Sequence, residues 1–320
     1  MRVFVRNHLP VIAPYVVLAV LFTTASLMYP RFFSARVIGD LFNDNAFLGI
    51  AAAGMTLVIL SGGIDLSVGA VLAFTTIFVA TLVQKGISPA LVIPLALLIG
   101  LLFGTAMGFL IQKYELPPFL VTLGGMFFAR GMAFVINQES LGISHPFYNS
   151  IKNFSLPLGE RGNLNETALL FIIIFIIVAL VTHHTRFGRN VYAIGGNESA
   201  ARLLGIPISA TKISVYAISG LCSATAGVVA TFYMGSGNPA LGTGFELDVI
   251  ASVVIGGTLL TGGVGSQLGT LAGVLIFGTI QTALVFDGRL NSWWQRIAIG
   301  GLLLAFILFQ KILSRRPVHG

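Results

Sequence analysis

Leu60-Ser61-Gly62-Gly63-Ile64-Asp65-Leu66-Ser67-Val68-Gly69-Ala70 sets a glycine pair and one acid between two uncharged runs, residues 45–64 and 66–84. Each glycine costs a helix about 1 kcal/mol relative to Ala, so the stretch reads as a turn or an unwound helix. A second stretch, Leu260-Thr261-Gly262-Gly263-Val264-Gly265-Ser266-Gln267-Leu268-Gly269-Thr270, repeats the Leu, the Gly-Gly pair and the later Gly. Ser61/Thr261, Ile64/Val264 and Val68/Leu268 are near matches. Backbone exposed at membrane depth must be buried in protein or line a wet cavity. Matched interruptions in two halves of a chain therefore point to a transport route. Tight helix hairpins at the membrane surface give the same pattern, and the residues alone leave both readings open. Asp65 is accordingly either an intramembrane functional acid or the N-cap of the helix that starts near Leu66.

The rest of the chain fits a membrane setting. Of its 320 residues 56% are hydrophobic and only 9% charged, and the mean hydropathy is +0.93. Soluble domains carry about 25% charged residues, which excludes a cytosolic enzyme, a disordered chain and a nucleic-acid reader. The 38 glycines show no collagen-like period and suit close helix packing in lipid. Cys222 is the single cysteine and reads as a small packing residue. Ten candidate spans have cores at 11–29, 43–61, 67–84, 89–111, 117–136, 167–183, 213–232, 248–261, 266–286 and 295–312. At about 20 residues each they leave little for soluble domains. The expectation is an all-α polytopic bundle, with interrupted spans and an internal pseudo-repeat, as one transmembrane domain over 1–320. The count of spans makes the two repeat copies run parallel; an inverted repeat needs a different count. The first run follows Arg2 and Arg6, is long for a signal peptide and lacks an Ala-x-Ala site before Pro30, so it reads as a retained anchor.

Basic residues set the orientation. With the N-terminus inside, Arg2, Arg6, Lys113, Arg186, Arg189, Arg202, Lys212, Lys311, Arg315 and Arg316 face inward. Arg31, Arg36, Lys85, Lys152, Arg161 and Arg289 then face outward. Ten against six places both termini in the cytoplasm. The main external loop is 138–166 and the main cytoplasmic loop 184–212. Arg130 falls six residues before the end of its span, about 9 Å, where a snorkelling structural role is expected. Glu246 and Asp248 read as a solvated loop or the rim of an outer mouth.

Within the cytoplasmic loop a short helix is well marked. Asn197 suits its N-cap, Glu198 and Arg202 its dipole, Gly205 its C′ position, and Pro207 blocks continuation. It displays Leu203 and Leu204 outside any span, as expected of a tip that docks into a groove on another protein; the alternative is a helix lying on the membrane surface. The chain holds no Gly-x-x-x-x-Gly-Lys-Ser/Thr phosphate loop, His-Glu-x-x-His or Gly-x-Ser-x-Gly motif. If transport uses ATP, another polypeptide binds it. His183 and His184 are neighbours on a helix and point about 100° apart, so they read as interfacial polar residues rather than metal ligands.

From about residue 35 to 312 the chain resembles the permease subunits of bacterial ATP-binding-cassette sugar importers, the ribose/xylose/galactose-type group. The stretches that carry the resemblance are Gly54–Gly69, Thr185–Asn197 and Phe245–Thr258. Within that group, Asn43–Gly49, Gly125–Gly131 and Leu290–Gly300 look most like one of the two permeases of the galactofuranose importer. The resemblance implies an inner-membrane protein that pairs with a second permease, as a heterodimer in the galactofuranose case. It also implies a periplasmic sugar-binding protein outside and an ATPase subunit inside. ATP and Mg would sit on the ATPase, with no cofactor or metal on this chain and no covalent catalysis. The ATPase contact would fall on Arg186, Gly195, Gly196, Asn197, Glu198, Arg202, Leu203, Leu204 and Gly205. Hydrogen-bonding candidates along the sugar path are Asn43, Asn45, Ser61, Asp65, Thr261 and Gln267. Phe47, Phe128, Tyr233 and Phe245 are candidate aromatic faces, although aromatics in spans more often pack or face lipid. Trp293 and Trp294 fit an interfacial belt. The competing expectations are a permease of the same family for ribose or xylose, an ion-coupled secondary transporter, and an intramembrane enzyme, which would need more acids than the isolated Asp65.

Overall fold

The computed structural model describes residues 2–159, 161–289 and 292–314. Leu290, Asn291, Arg315 and Arg316 lie outside the described residues, as do the side chains of Arg2, Arg6 and Lys311. The described chain is a helical bundle: α1 (Arg2–Met28), α2 (Ala35–Asp44), α3 (Ala46–Leu60), α4 (Val68–Gln84), α5 (Pro89–Lys113), α6 (Pro118–Ile136), α7 (Pro146–Lys152), α8 (Glu166–His184), α9 (Arg186–Gly196), α10 (Glu198–Leu203), α11 (Ile208–Met234), α12 (Phe245–Ile255), α13 (Gln267–Asp287) and α14 (Ser292–Ser314). Four short strands, β1 (Leu141–Gly142), β2 (Ser155–Leu158), β3 (Gly162–Asn165) and β4 (Ser236–Gly237), form two antiparallel pairs, β1 with β4 and β2 with β3. A helix occupies each of the ten places expected for a span. Five of them, α5, α6, α8, α11 and α13, are long and apolar enough to cross a bilayer, and α2 with α3 makes a sixth, bent by 56°. The chain is an all-α polytopic membrane protein.

α11 is the axis of the bundle. Its apolar window is 72% buried, and its 27 residues reach about 40 Å. α5 lies against it through Gly100, Gly104 and Gly108, spaced four apart on one helix face. A Cβ on Gly104 would stand 2.2 Å from the Tyr216 carbonyl oxygen, and one on Gly220 of α11 would stand 2.2 Å from that of Gly100. Such small-residue seams let membrane helices meet backbone to backbone, which is where part of the glycine content goes. Cys222 is buried against Gly54 of α3, in keeping with a packing role.

Two findings correct the expected span map. The expected cytoplasmic loop 184–212 is almost entirely helical, because Thr185 caps a further helix, α9, by accepting from Gly188 N at 3.2 Å, and α11 starts already at Ile208. The span expected over 248–261 is replaced by α12, whose 11 residues reach about 16 Å, half of a hydrocarbon core. It starts inside the bundle because the chain re-enters after α11. Gly237 is held against the Thr76 carbonyl, Asn238 N donates to Thr76 Oγ1 at 3.1 Å, and Gly242 packs on the backbone of Gly69. The segment thus descends along α4 by about seven residues of helix, roughly 10 Å. Arg130 Nη1 donates to the carbonyls of Pro239, at 2.8 Å, and Leu241. Arg130 therefore has the expected structural role by another route: it turns inward and satisfies buried non-helical backbone instead of snorkelling. Glu246 and Asp248 sit in the first turn of α12, half-buried, rather than in a solvated loop.

Candidate functional site

The two sequence-matched breaks meet. Gly263 N donates to the Leu60 carbonyl at 2.9 Å, and the end of α9 covers the contact. A Cβ on Gly195 would lie 1.8 Å from Leu60 O and 2.6 Å from Gly263 N; one on Gly262 would lie 2.8 Å from Gly62 N. Three glycine pairs, Gly62-Gly63, Gly195-Gly196 and Gly262-Gly263, therefore form one backbone junction. The Phe47 and Phe245 rings at the starts of α3 and α12 also lie 5.8 Å apart, so the two helices run side by side toward the junction in the same direction.

Asp65 is both buried inside the bundle and bonded to the turn that leads into α4. It is fully buried, and Ser219 Oγ of α11 donates to its Oδ2 at 2.8 Å. Ser219 is the twelfth of the 27 residues of α11, so the acid lies near mid-depth of the bundle. Its Oδ1 accepts from Ser67 N at 2.9 Å and Ser67 Oγ at 2.6 Å, which closes the turn that starts α4. Every carboxylate oxygen is occupied, so Asp65 faces no open path in this conformation. Gln267, the residue after the second break, is also fully buried. Its Nε2 donates to Ala53 O at 3.0 Å, while its Oε1 has no partner among the described residues. Ser61 is buried and donates to Val58 O at 2.8 Å; Thr261 is exposed on the second turn.

At the opposite end of the bundle three of the four aromatic candidates gather. The Phe47 ring lies 6.2 Å from that of Tyr233 and 5.8 Å from that of Phe245. The Tyr233 hydroxyl donates to Asp44 Oδ1 at 2.9 Å. Asp44 is an exposed acid that the sequence reading passed over between two asparagines. It also lines an open basin of 870 Å³ with Arg31, Arg36, Asp40, Arg161 and Gln281. Asn43 and Asn45 are buried and committed elsewhere: Asn43 bonds Asn163 O and Asn165 N of the β3 hairpin, and Asn45 donates to Leu41 O. Phe128 stands apart on α6, 63% exposed and stacked on Phe103.

α10 has the expected caps. Asn197 Oδ1 accepts from Ala200 N at 2.9 Å, and Gly205 takes the left-handed conformation at φ 74°. Ile206 N donates to Ala201 O at 3.1 Å, the closing bond of that cap. Glu198 receives Lys212 Nζ at 2.6 Å and Arg202 Nη2 at 3.4 Å. The Lys212 ammonium holds the Glu198 carboxyl below its ordinary range. Leu203 and Leu204 project from the tip at 90% and 80% exposure. Arg186, at the start of α9, is exposed as well. Sequence reasoning missed Tyr192, whose hydroxyl donates to Gly265 O at 2.9 Å and whose burial raises its phenol to about 12. It also missed Ser219, the partner of Asp65.

Residues 37–307 match the family model described as branched-chain amino acid transport system / permease component. The Escherichia coli K12 inner membrane ABC transporter permease protein YjfF is 47% identical, over 97% of this chain and 94% of its own length. The Bifidobacterium longum fructose import permease protein FruG is 38% identical, over 96% and 92% of the two chains. The Bacillus subtilis ribose import permease protein RbsC is 38% identical, over 94% and 92%. No solved structure matches the chain. The match over residues 37–307 and the identity to these relatives show that the chain belongs to the branched-chain amino acid transport system / permease component family, among ABC-transporter permeases.

Proposed function

We propose that this chain is a permease subunit of an ATP-binding-cassette sugar importer in a bacterial inner membrane, carrying a monosaccharide delivered by a periplasmic binding protein. Galactofuranose is the first sugar to try, on the resemblance of Asn43–Gly49 and Gly125–Gly131; ribose and fructose follow from the names of the relatives. The pathway would be completed by a second permease, in a heterodimer. α9 and α10 would face the cytoplasm with both termini, and the 138–166 segment the periplasm. ATP and Mg would bind a separate ATPase subunit, and this chain would bind no cofactor.

The observation that carries this reading is the α10 tip. A helix whose ends are capped exposes two adjacent leucines, and Arg186, Arg189 and Arg202 of the same 185–206 segment are exposed as well. Burying them in a partner groove would gain roughly 1.5–3 kcal/mol each, and the arginines suit an acidic rim. An ion-coupled transporter gives this tip no purpose. At the other end, Asp44, Tyr233, Phe47 and Phe245 would meet the sugar first: a carboxylate accepts from hydroxyls, and aromatic faces take C–H bonds. Asp65, Ser61, Thr261 and Gln267 would become pathway residues only when the junction opens.

The test is reconstitution with the ATPase, the second permease and the binding protein in proteoliposomes. ATP hydrolysis is expected to rise when the sugar-loaded binding protein is added, and Leu203→Asp with Leu204→Asp is expected to abolish the rise while insertion persists. Uptake driven by a proton gradient without ATP would refute the reading. Affinity of the binding protein for a panel of furanoses and pyranoses identifies the cargo.

A further inference from the structure

We propose that Tyr192 and Gly195 are positioning residues that make α9 a transmission rod, moving both breaks together when the α10 tip is displaced; this rests on the ATPase-docking reading above. The first turn of α9 is capped by Thr185 and pressed on α8, where a Cβ on Gly188 would lie 1.8 Å from Thr182 O. Its buried face is Gly188, Val191 and Ile194. Its last turn leads through a single residue, Asn197, into α10, whose tip carries Leu203 and Leu204.

What that last turn touches is backbone, in both breaks. Gly195 sits on the hydrogen bond that joins them, Gly263 N to Leu60 O, with no room for a methyl group. Tyr192 donates to Gly265 O, four residues beyond Thr261 in the second break. The segments it holds are those whose backbone can change. Gly62, Gly262, Gly263 and Gly265 all have positive φ, and hinges are built from positions that absorb φ/ψ change. α4 and α13 restart immediately after them. A contact that served only to bury apolar surface would need neither a hydroxyl aimed at a turn carbonyl nor direct backbone contact. A shift of the tip cannot leave either break in place, so the two helix restarts move as a pair.

Tyr192→Phe keeps the size and apolar packing of the ring and removes only the hydrogen bond to Gly265. In the complete transporter in proteoliposomes, with galactofuranose as probe sugar, the variant is expected to hydrolyse ATP at the wild-type basal rate. Its uptake per ATP is expected to fall about fivefold, the effect of one lost hydrogen bond at a moving joint. Gly195→Ala is expected to lower uptake at least about tenfold, as overpacking does, with size-exclusion elution reporting whether the chain still folds. Unchanged uptake per ATP in Tyr192→Phe overturns the proposal. So does a basal rate that falls in step with uptake, which would make Tyr192 part of docking. If the wild-type complex shows no stimulation by loaded binding protein, the importer reading fails and takes this inference with it.

Discussion

The two breaks match in sequence and differ in build. Helix restarts coincide, at Val68 and Gln267, one residue short of a 200-residue offset. Helix endings do not: α3 runs to Leu60, whereas α12 stops at Ile255, five residues earlier than the match requires. The reason is local. α3 ends with Gly62 at φ 79° and Gly63 N bonded to Val58 O, and α12 ends the same way with Gly257 at φ 91° and Thr258 N bonded to Val253 O. Gly256-Gly257 thus does in the second copy what Ser61-Gly62 does in the first, and Gly262-Gly263 makes an additional turn that reaches across to the first break. The restarts also differ. Asp65 braces the turn before α4 with a carboxyl group also tied to α11, while Ser266 caps α13 with a hydroxyl accepting from Gly269 N at 3.0 Å. The matched motifs therefore share a restart, and only the first copy carries a carboxyl latch to α11.

The difference can be broken from either side. Asp65→Ala should have the largest effect, because it leaves Ser67 N, Ser67 Oγ and Ser219 Oγ without their acceptor in a dry interior; a loss of about 3 kcal/mol or more is expected. Asp65→Asn retains an acceptor and should lose less than half of that. Thermal midpoints of the purified chain in detergent give the order, and an Asp65→Ala midpoint equal to wild type would show that the latch is idle. In the second copy, Gly265→Ala meets a φ of 144° and the Thr258 side chain at 2.4 Å, so about 1–3 kcal/mol is expected from strain and overpacking. Ser266→Ala removes a neutral cap and should cost about 1 kcal/mol in the same assay. If it costs as much as Asp65→Ala, the two restarts are energetically alike and the comparison fails.

Away from the breaks, Tyr233→Phe should change function and leave stability nearly untouched, since the bond to Asp44 is exposed. A fall of about fivefold in sugar uptake is expected, with the midpoint unmoved. The smallest effect concerns pH. Lys212 depresses the Glu198 carboxyl, so the pairing contributes above the ordinary value of 4.5 and is lost as pH falls through the lower folded value. Glu198→Gln should remove that acid limb from the stability profile, and only slightly, because the pair is partly exposed and screened.

Much of this was legible beforehand. Ten helices stand where apolar runs of about 20 residues lay, because in lipid a backbone has few other ways to satisfy itself. The caps of α10 were readable for a related reason: Asn197, Gly205 and Pro207 act within one turn of where they stand. Re-entry of 235–244 was not legible. Gly-rich backbone between two apolar runs has the composition of a surface loop, and only its distant partners, Arg130 on Pro239 and Thr76 on Asn238, show that it is inside. Asn43 and Asn45 were hydrogen-bonding candidates for the sugar path; their backbone partners, in the β3 hairpin and one turn back, were invisible to a linear reading.

The sequence by itself determined the solvent, the places of most apolar helices and the form of the exposed tip. All of these follow from local hydropathy, charge placement and single-turn hydrogen bonding. Tertiary structure alone decided that the three glycine pairs form one junction, that Asp65 is latched to Ser219 at mid-depth, and that Tyr233 finds Asp44. Each joins residues between 67 and 203 positions apart. Which glycine meets which backbone depends on how whole helices pack, and no local propensity encodes that.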